Sequence, residues 1–197
     1  MGGKQGSYLN AFRLNQVMEP VEDRSILDKF CMEFCSLVEK HVKYIIVSGF
    51  VAIAAGRKRA TEDIDVIIES LDKEKFIRLH GELIKNHFSC IQSDSANEVH
   101  SYLKDNLSVR YVRENNEPEM EVKFAKDVLD NLQIQGRIKI PLTGIDVWFG
   151  SIEMNIAYKE EYLKSDKDLE DAKHLRIVFD ANEEKINKCK ELIRKYR

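Results

Sequence analysis

One stretch, residues 44–69, constrains the fold more than any other part of the chain; its sequence is YIIVSGFVAIAAGRKRATEDIDVIIE. An apolar run rich in β-branched residues ends at Ser48-Gly49 and predicts a buried strand. The small apolar residues that follow, stopped by Gly56, predict a short helix. A second apolar run opens with Asp63-Ile64-Asp65 and predicts a second strand. The stretch therefore predicts a strand, a tight turn, a helix, a loop and a strand.

Asp63 and Asp65 are two positions apart in the second strand, so both side chains are expected on one face, with Ile64 and Val66 on the other. Two carboxylates about 4 Å apart repel by roughly 4 kcal/mol at an effective dielectric constant of about 20. A divalent cation would offset this repulsion, and Mg²⁺ usually takes one or two carboxylates together with substrate phosphates. The alternative is that both are solvent-facing residues of a half-exposed strand. The upstream Ser-Gly turn and the basic loop at 57–59 favour the metal site.

Length and composition limit the class of protein. With 197 residues, 43% of them hydrophobic, the chain is long and apolar enough for one domain with a core, or one domain with a helical appendage. A net charge of −3 does not require a nucleic-acid partner. The start lacks an apolar signal region and no run of 18 apolar residues occurs, so we expect a cytoplasmic protein with no membrane partner. The four cysteines lack zinc or redox spacing and are expected to be reduced.

The fold class expected is α/β (α+β), a small mixed twisted sheet flanked by helices, with a helical C-terminal part. The chain divides into a lead-in and helix at 1–41, an α/β core at 42–150 and a helical part at 151–197. The first helix starts after Pro20 and runs to His41. In the core, residues 100–103, 107–112 and 119–124 are predicted strands, the last from its alternating pattern. In the C-terminal part, helices are predicted from Ser165 and over Glu183–Tyr196.

A third carboxylate is needed if the site is of the two-metal type, which is built around a cluster of acidic ligands. Glu121 lies between Met120 and Val122 in a predicted strand and fits this role, with Glu119 as the reserve candidate. The alternative for Glu121 is a strand residue paired with Lys123 or with a cross-strand partner.

The Ser48-Gly49 turn has the chemistry to contact a phosphate. Glycine allows close approach of the backbone, the serine hydroxyl can donate a hydrogen bond, and free N–H groups at a helix start favour an anion. The patterns G-x-x-x-x-G-K-[S/T] and G-x-G-x-x-G are both absent, which excludes a P-loop and a dinucleotide fingerprint.

Together, Ser48-Gly49, the Asp63-Ile64-Asp65 motif and a later lone acidic residue in an apolar strand resemble the polymerase-β-like nucleotidyltransferase superfamily. The segment GRKRATEDIDVII is similar to small bacterial and archaeal nucleotidyltransferases related to AbiEii-type toxins. Residues 152–175 resemble the downstream helical motif of that family, in which a lysine is followed by Lys-Asp-x-x-Asp. The matching residues are Lys159, Lys167, Asp168 and Asp171.

The resemblance implies transfer of a nucleoside monophosphate from an NTP to a hydroxyl of an RNA, a protein or a small molecule, with release of pyrophosphate. It implies Mg²⁺ (or Mn²⁺) as cofactor, held by Asp63, Asp65 and Glu121, with Glu121 helping to position the base for the incoming hydroxyl. ATP binding and a toxin–antitoxin relation are further expectations from the family. Neither the NTP, the acceptor nor the oligomeric state follows from the sequence.

The nucleotide contacts implied by the family fall on Ser48, Gly49, Arg59, Lys159, Lys167 and Asp168. For Lys167, Asp168 and Asp171 a structural explanation is equally good, because charges at a helix N-terminus and pairing within the helix produce the same spacing. For Arg57 and Arg59, a solvated basic loop is an equal alternative.

Two departures from the family pattern leave a second function open. The usual Gly-Gly or Gly-Ser pair is here Ser48-Gly49 followed by bulky Phe50, and the third acid is Glu where Asp is commoner. Both are compatible with a non-catalytic nucleotide- or partner-binding protein, antitoxin-like in role. A D-x-D glycosyltransferase using a nucleotide sugar and Mn²⁺ is a third hypothesis, disfavoured by the short chain and the Ser-Gly turn.

Overall fold

A five-stranded sheet lies at the centre of the computed structural model, which describes residues 25–61, 63–113 and 118–197. The strands, in chain order, are β1 (Tyr44–Val47), β2 (Asp63–Ile68), β3 (Ser89–Cys90), β4 (Val109–Val112) and β5 (Glu119–Phe124). The helices are α1 (Ile26–Val38), α2 (Gly49–Ala54), α3 (Lys73–Lys85), α4 (Ala96–Lys104), α5 (Val128–Gln135), α6 (Ile152–Tyr158), α7 (Asp166–Phe179) and α8 (Glu183–Tyr196). A short 3₁₀ turn spans Pro141–Thr143, and a π-helical turn, Lys159–Leu163, continues α6.

The sheet is mixed, with strand order β1-β2-β5-β4-β3. Strand β2 pairs with β1 antiparallel and with β5 parallel, while β4 is antiparallel to both β5 and β3. This arrangement confirms the expected small mixed sheet flanked by helices.

One face of the sheet carries the main core. In β2, Ile64, Val66 and Ile68 are buried and alternate with less buried neighbours. Helices pack on this face through aromatic contacts: the ring of Phe34 lies 5.6 Å from Tyr111, and that of Phe76 lies 6.0 Å from Phe124. Burying each such large apolar side chain contributes roughly 1.5–3 kcal/mol.

The opposite face has a smaller apolar cluster, built by Ile45, Ala125 and Ile134 with Val47 and Ile67 at its edge. Ile134 belongs to α5, so this helix covers one end of the face. The acidic residues of β2 and β5 lie towards the other end of this face. Asp63 and Glu119 begin their strands, whereas Ile67 lies near the end of β2 and Ala125 follows β5.

The C-terminal helices form a layer that reaches the sheet through α2. Ile156, Ala172, Leu175, Ile186 and Ile193 join α6, α7 and α8 to the main core. Each helix begins at a capping side chain, Ser151, Ser165 or Asn182, that accepts a hydrogen bond from a first-turn amide. The predicted start at Ser165 and the helix Glu183–Tyr196 are both confirmed.

Some predictions of local structure were wrong. Residues 100–103 belong to helix α4, because Val99 and Leu103, four positions apart, bury one helical face that the strand assignment overlooked. The first helix ends at Val38, three residues before His41. Its predicted start after Pro20 lies outside the described residues.

Among the helices in the described ranges, none is long and apolar enough to cross a bilayer.

Candidate active site

The predicted metal ligands share one face of the sheet. Because β2 and β5 are parallel and in register, Asp63 lies opposite Glu119 and Asp65 lies opposite Glu121. Side chains alternate between faces along each strand, so these four carboxylates project to the same side. The fold therefore gathers the candidates of both strands at one place.

Two cationic side chains contact these carboxylates. The ammonium of Lys123 lies 2.6 Å from Glu121 Oε1 and 3.5 Å from Asp65 Oδ1. The guanidinium of Arg110, on β4, donates to Glu121 Oε2 at 3.0 Å and lies 3.1 Å from Glu119 Oε2. The alternative explanation of Glu121 was a pairing with Lys123 or with a cross-strand partner. Both contacts are present, the second with Arg110.

The surroundings shift the pKa values of the two central carboxyls in opposite directions. Burial raises the pKa of Asp65, and the nearby charges of Glu121 and Asp63 add to that, while Lys123 and a hydrogen bond with Ser48 oppose it. Burial also raises the pKa of Glu121, but the hydrogen bonds and charges of Lys123 and Arg110 outweigh it, so the pKa is lowered. Glu121 is therefore the better compensated anion of the pair.

The carboxylates on this face supply only part of the ligands that a divalent cation needs. Within the described ranges, no group of three or more His, Cys, Asp or Glu side chains is arranged to hold a metal ion. Asp63 and Asp65 offer hard oxygen donors on one face, and Mg²⁺ commonly needs only one or two carboxylates beside substrate phosphates. Both oxygens of Glu121 are engaged by cations. The two aspartates could thus hold Mg²⁺, whereas Glu121 is committed to Lys123 and Arg110.

Ser48 precedes α2 in a backbone conformation that favours glycine, with φ 65° and ψ −139°. A residue other than glycine in such a region costs about 1–3 kcal/mol and persists only where its surroundings impose it. Gly49 is covered by the guanidinium of Arg59: a Cβ added there would lie 3.0–3.1 Å from it. Glycine at position 49 therefore allows a cation to lie against the turn.

Asp171 organises the cations around this turn. Its carboxylate is 0% exposed and accepts from Arg57, from Arg59 at 2.6 Å and from Lys159 at 2.9 Å. A single buried anion thus holds three cationic side chains, and it fixes Arg59 over Gly49.

Lys159 is the most deeply buried of these cations. It is 1% exposed, lies where α6 passes into the π-helical turn, and also contacts Asp168 at 3.1 Å. Burial lowers the pKa of Lys159, partly opposed by Asp168 and Asp65. π-Helical turns are often found at functional sites.

The remaining predicted nucleotide contacts lie farther out. Asp168 pairs with Lys159, and its backbone N–H donates to Ser165 Oγ at 3.2 Å. The side chain of Lys167 is exposed, and its carbonyl accepts from Arg57 Nη1 at 3.1 Å. Lys167 is not part of the cavity described next, and its role in nucleotide binding stays a prediction.

A cavity of about 310 Å³ runs from the acidic face towards α5 and α6. Asp65, Ser48, Lys123 and Lys159 line it. So do side chains that the sequence did not indicate: Asp130, Gln133, Asn155, Tyr158, Tyr162 and Arg197. The sequence contains one indication of these residues: Gln133 and Asn155 are polar but lie between apolar neighbours, in the segments LQI (132–134) and MNI (154–156).

Comparisons with solved structures show what this fold is similar to. A solution structure of the antibiotic-resistance factor ANT(2'')-Ia matches with TM-score 0.55 and 15% identity, covering 86% of this chain and 91% of that chain. A crystal structure of ANT(2'')-Ia in complex with adenylyl-2''-tobramycin matches with TM-score 0.53 and 16% identity, covering 87% and 98%. An antigenic nucleotidyltransferase-like protein from Paracoccidioides brasiliensis matches with TM-score 0.53 and 18% identity, covering 86% and 88%.

At these identities the likeness shows the fold alone, so the chain shares the α/β fold of these structures. No protein-family model and no curated protein sequence matches the chain. The more specific likeness to AbiEii-type proteins, the toxin–antitoxin relation and the cytoplasmic location stay predictions from the sequence.

Proposed function

We propose that this protein is a Mg²⁺-dependent nucleotidyltransferase that moves a nucleoside monophosphate from an NTP to an acceptor hydroxyl. The observation that carries the proposal is the position of Asp65 beside Ser48 and the buried Lys159 in a single cavity, with Asp63 on the same face of the sheet. This set combines carboxylates for a hard cation with cations for phosphate oxygens.

The fold neighbours support both the reaction and one class of acceptor. ANT(2'')-Ia was solved with adenylyl-2''-tobramycin, a small molecule that carries a nucleotidyl group. We therefore place a small-molecule hydroxyl first among the acceptors, ahead of RNA and protein.

Each side chain has a role in this proposal. Lys159 and Arg59 supply positive charge to the phosphates at the Ser48-Gly49 turn, and Asp171 holds both in place. Asp63 and Asp65 would hold Mg²⁺, which when bound neutralises charge on the phosphates and at the reacting oxygens. Glu121, held by Lys123 and Arg110, is placed to orient the acceptor hydroxyl. Catalysis of this type depends on positioning and electrostatics, so the loss of one aspartate should abolish it.

A second candidate function is nucleotide binding without catalysis. The observation that favours it is the contact of Lys123 with both Asp65 and Glu121, which compensates these charges by a side chain of the protein itself. If Lys123 stays there when a nucleotide binds, the third carboxylate is not free to act.

Labelled ATP distinguishes these functions. Purified protein is incubated with Mg²⁺ and ATP labelled at the α or the γ phosphate, with total RNA, with a mixture of hydroxyl-bearing small molecules such as aminoglycosides, or alone. Asp63→Asn is the test variant, and Asp105→Asn, at an exposed position after α4, is the matched control.

Transfer of α label only, lost in Asp63→Asn and kept in Asp105→Asn, would support the transferase and identify the acceptor class. Binding of ATP without transfer to any acceptor would support the binding protein. The absence of both binding and transfer with ATP and with each of the other three NTPs would contradict both functions.

A further inference from the structure

The part of the cavity lined by α5 and α6 has polar atoms without protein partners in the described ranges. Gln133 is 8% exposed and lines the cavity, yet its amide makes no hydrogen bond within the described ranges. Buried polar side chains are hydrogen-bonded in the great majority of cases. A buried amide that faces a cavity without a partner therefore indicates a ligand with polar atoms.

Asn155 adds a second polar atom, and its orientation is fixed. Its Nδ2 donates to the carbonyl of Gly150 at 3.1 Å and to that of Ser151 at 3.0 Å. Both amide protons are thus used, and Oδ1, which has no partner in the described part of the chain, can only accept. Asn155 is 5% exposed and lines the same cavity, so its oxygen is placed to accept from an N–H or O–H group of a ligand.

The two amides converge at Gly150. A Cβ added to this glycine would lie 3.3 Å from Asn155 Nδ2 and 3.8 Å from Gln133 Oε1. Because Gly150 has no side chain, the amides of Gln133 on α5 and Asn155 on α6 can both approach this position.

Two tyrosine rings supply an aromatic wall beside these amides. Tyr158 and Tyr162, one helical turn apart, have ring centroids 5.2 Å apart and both line the cavity. Tyr162 is partly exposed, so its ring is accessible for stacking. Stacking of a base on an aromatic side chain is favourable for every base and does not depend on its hydrogen-bonding edge.

We infer that this part of the cavity binds the nucleobase of the NTP and selects a base that carries an amino group beside an unprotonated ring nitrogen, as adenine and cytosine do. The inference rests on the proposed function, which places the triphosphate at the Ser48-Gly49 turn. Asn155 Oδ1 accepts from the exocyclic amine, and the Gln133 amide donates to the ring nitrogen. Hypoxanthine and uracil present a carbonyl and a protonated ring nitrogen at these positions, which leaves the fixed acceptor Asn155 Oδ1 opposite another acceptor.

Matched nucleotide pairs test this inference directly. Binding is measured by calorimetry with Mg²⁺ for ATP against ITP and for CTP against UTP, since each pair exchanges the amino group for an oxo group. A preference of about tenfold for the amino-bearing member is expected, within the range for a well-formed amide–base contact. Comparison of ATP with CTP then identifies which of the two bases the site prefers.

Three variants separate hydrogen bonding from stacking. Gln133→Met keeps the length of the side chain and should reduce, but not abolish, the amino-over-oxo preference, because Asn155 Oδ1 still faces the base. Gln135→Met, two residues on and exposed on the same helix, should keep it. Tyr162→Ala should weaken all four nucleotides by a similar factor and leave the preference unchanged.

Equal affinities within both pairs for the unmodified protein would overturn the inference, even if label transfer from ATP occurs. A failure to bind any NTP would overturn the proposed function as well, so the two failures are distinguishable. If Gln133→Met does not fold, the comparison of ATP with ITP on the unmodified protein still decides.

Discussion

Asp65 lies directly opposite Glu121 across the parallel pair β2 and β5, and the ammonium of Lys123 contacts both carboxylates. Asp65 is one of the two aspartates proposed to hold Mg²⁺. Lys123 would therefore compete with a metal ion at Asp65.

Replacement of Lys123 by methionine should tighten binding of a divalent cation. The variant removes the competing charge and keeps the aliphatic length, and because Lys123 is 44% exposed we expect only about a fivefold gain. Mn²⁺ binding followed by electron paramagnetic resonance measures it. Lys188→Met, which removes an exposed lysine paired with Glu184, is the control and should change nothing. Equal affinity in both variants would show that Lys123 does not compete with a metal.

Asp171→Asn should destabilise the fold strongly. The carboxylate is fully buried beneath Arg57, Arg59 and Lys159, and removing one partner of a buried ionic group costs about 3–5 kcal/mol. The free energy of unfolding in urea measures the effect. Glu170→Gln, which removes an exposed partner of Arg57, should cost little. Equal losses in the two variants would contradict the role given to Asp171.

Ser48→Gly should be more stable than Ser48→Ala by about 1–2 kcal/mol. An alanine at position 48 keeps the positive φ of 65° and its strain, whereas glycine adopts this conformation without a Cβ clash. Both variants lose the hydroxyl group, so their difference isolates the backbone term. Thermal and urea unfolding of the pair provide the measurement, and a more stable alanine variant would refute the strain at this turn.

The pH dependence of stability should reflect Glu121. Lys123 and Arg110 hold the pKa of Glu121 below its ordinary value of 4.5, so the folded state binds this proton less readily than the unfolded state. Its contribution to stability is therefore present above pH 4.5 and is lost as the pH falls through the lower folded-state pKa. Unfolding free energies of the wild type and Glu121→Gln should differ at pH 7 and converge in acid. A difference that is constant with pH would contradict the ion pairs.

The strands that frame the site could be predicted from the sequence because their signal is local. Residues 44–47 and 119–124 are strands as expected, since β-branched composition and alternation report burial directly. Helix α4 was missed because Val99 and Leu103 give a helical period over only nine residues, too short to outweigh the apolar residues near its end.

The site itself depended on long-range contacts that no local pattern contains. For Arg57 and Arg59 the sequence left a phosphate or acceptor contact and a solvated loop as equal alternatives, but both bind Asp171, more than 110 positions later in the chain. The contact of Lys123 with Asp65 follows from the parallel register, which the sequence does not specify. The face shared by Asp63 and Asp65 was predictable because a strand has a period of two residues.

The most direct test of the central claim is label transfer from α-³²P-ATP by the wild type and by Asp65→Asn. Since burial raises the pKa of Asp65, its charge is a cost to the fold at pH 7, and the asparagine variant should fold at least as stably. We expect transfer by the wild type and none by this folded variant. Equal transfer by both proteins would contradict the placement of the nucleotidyltransferase site at Asp65.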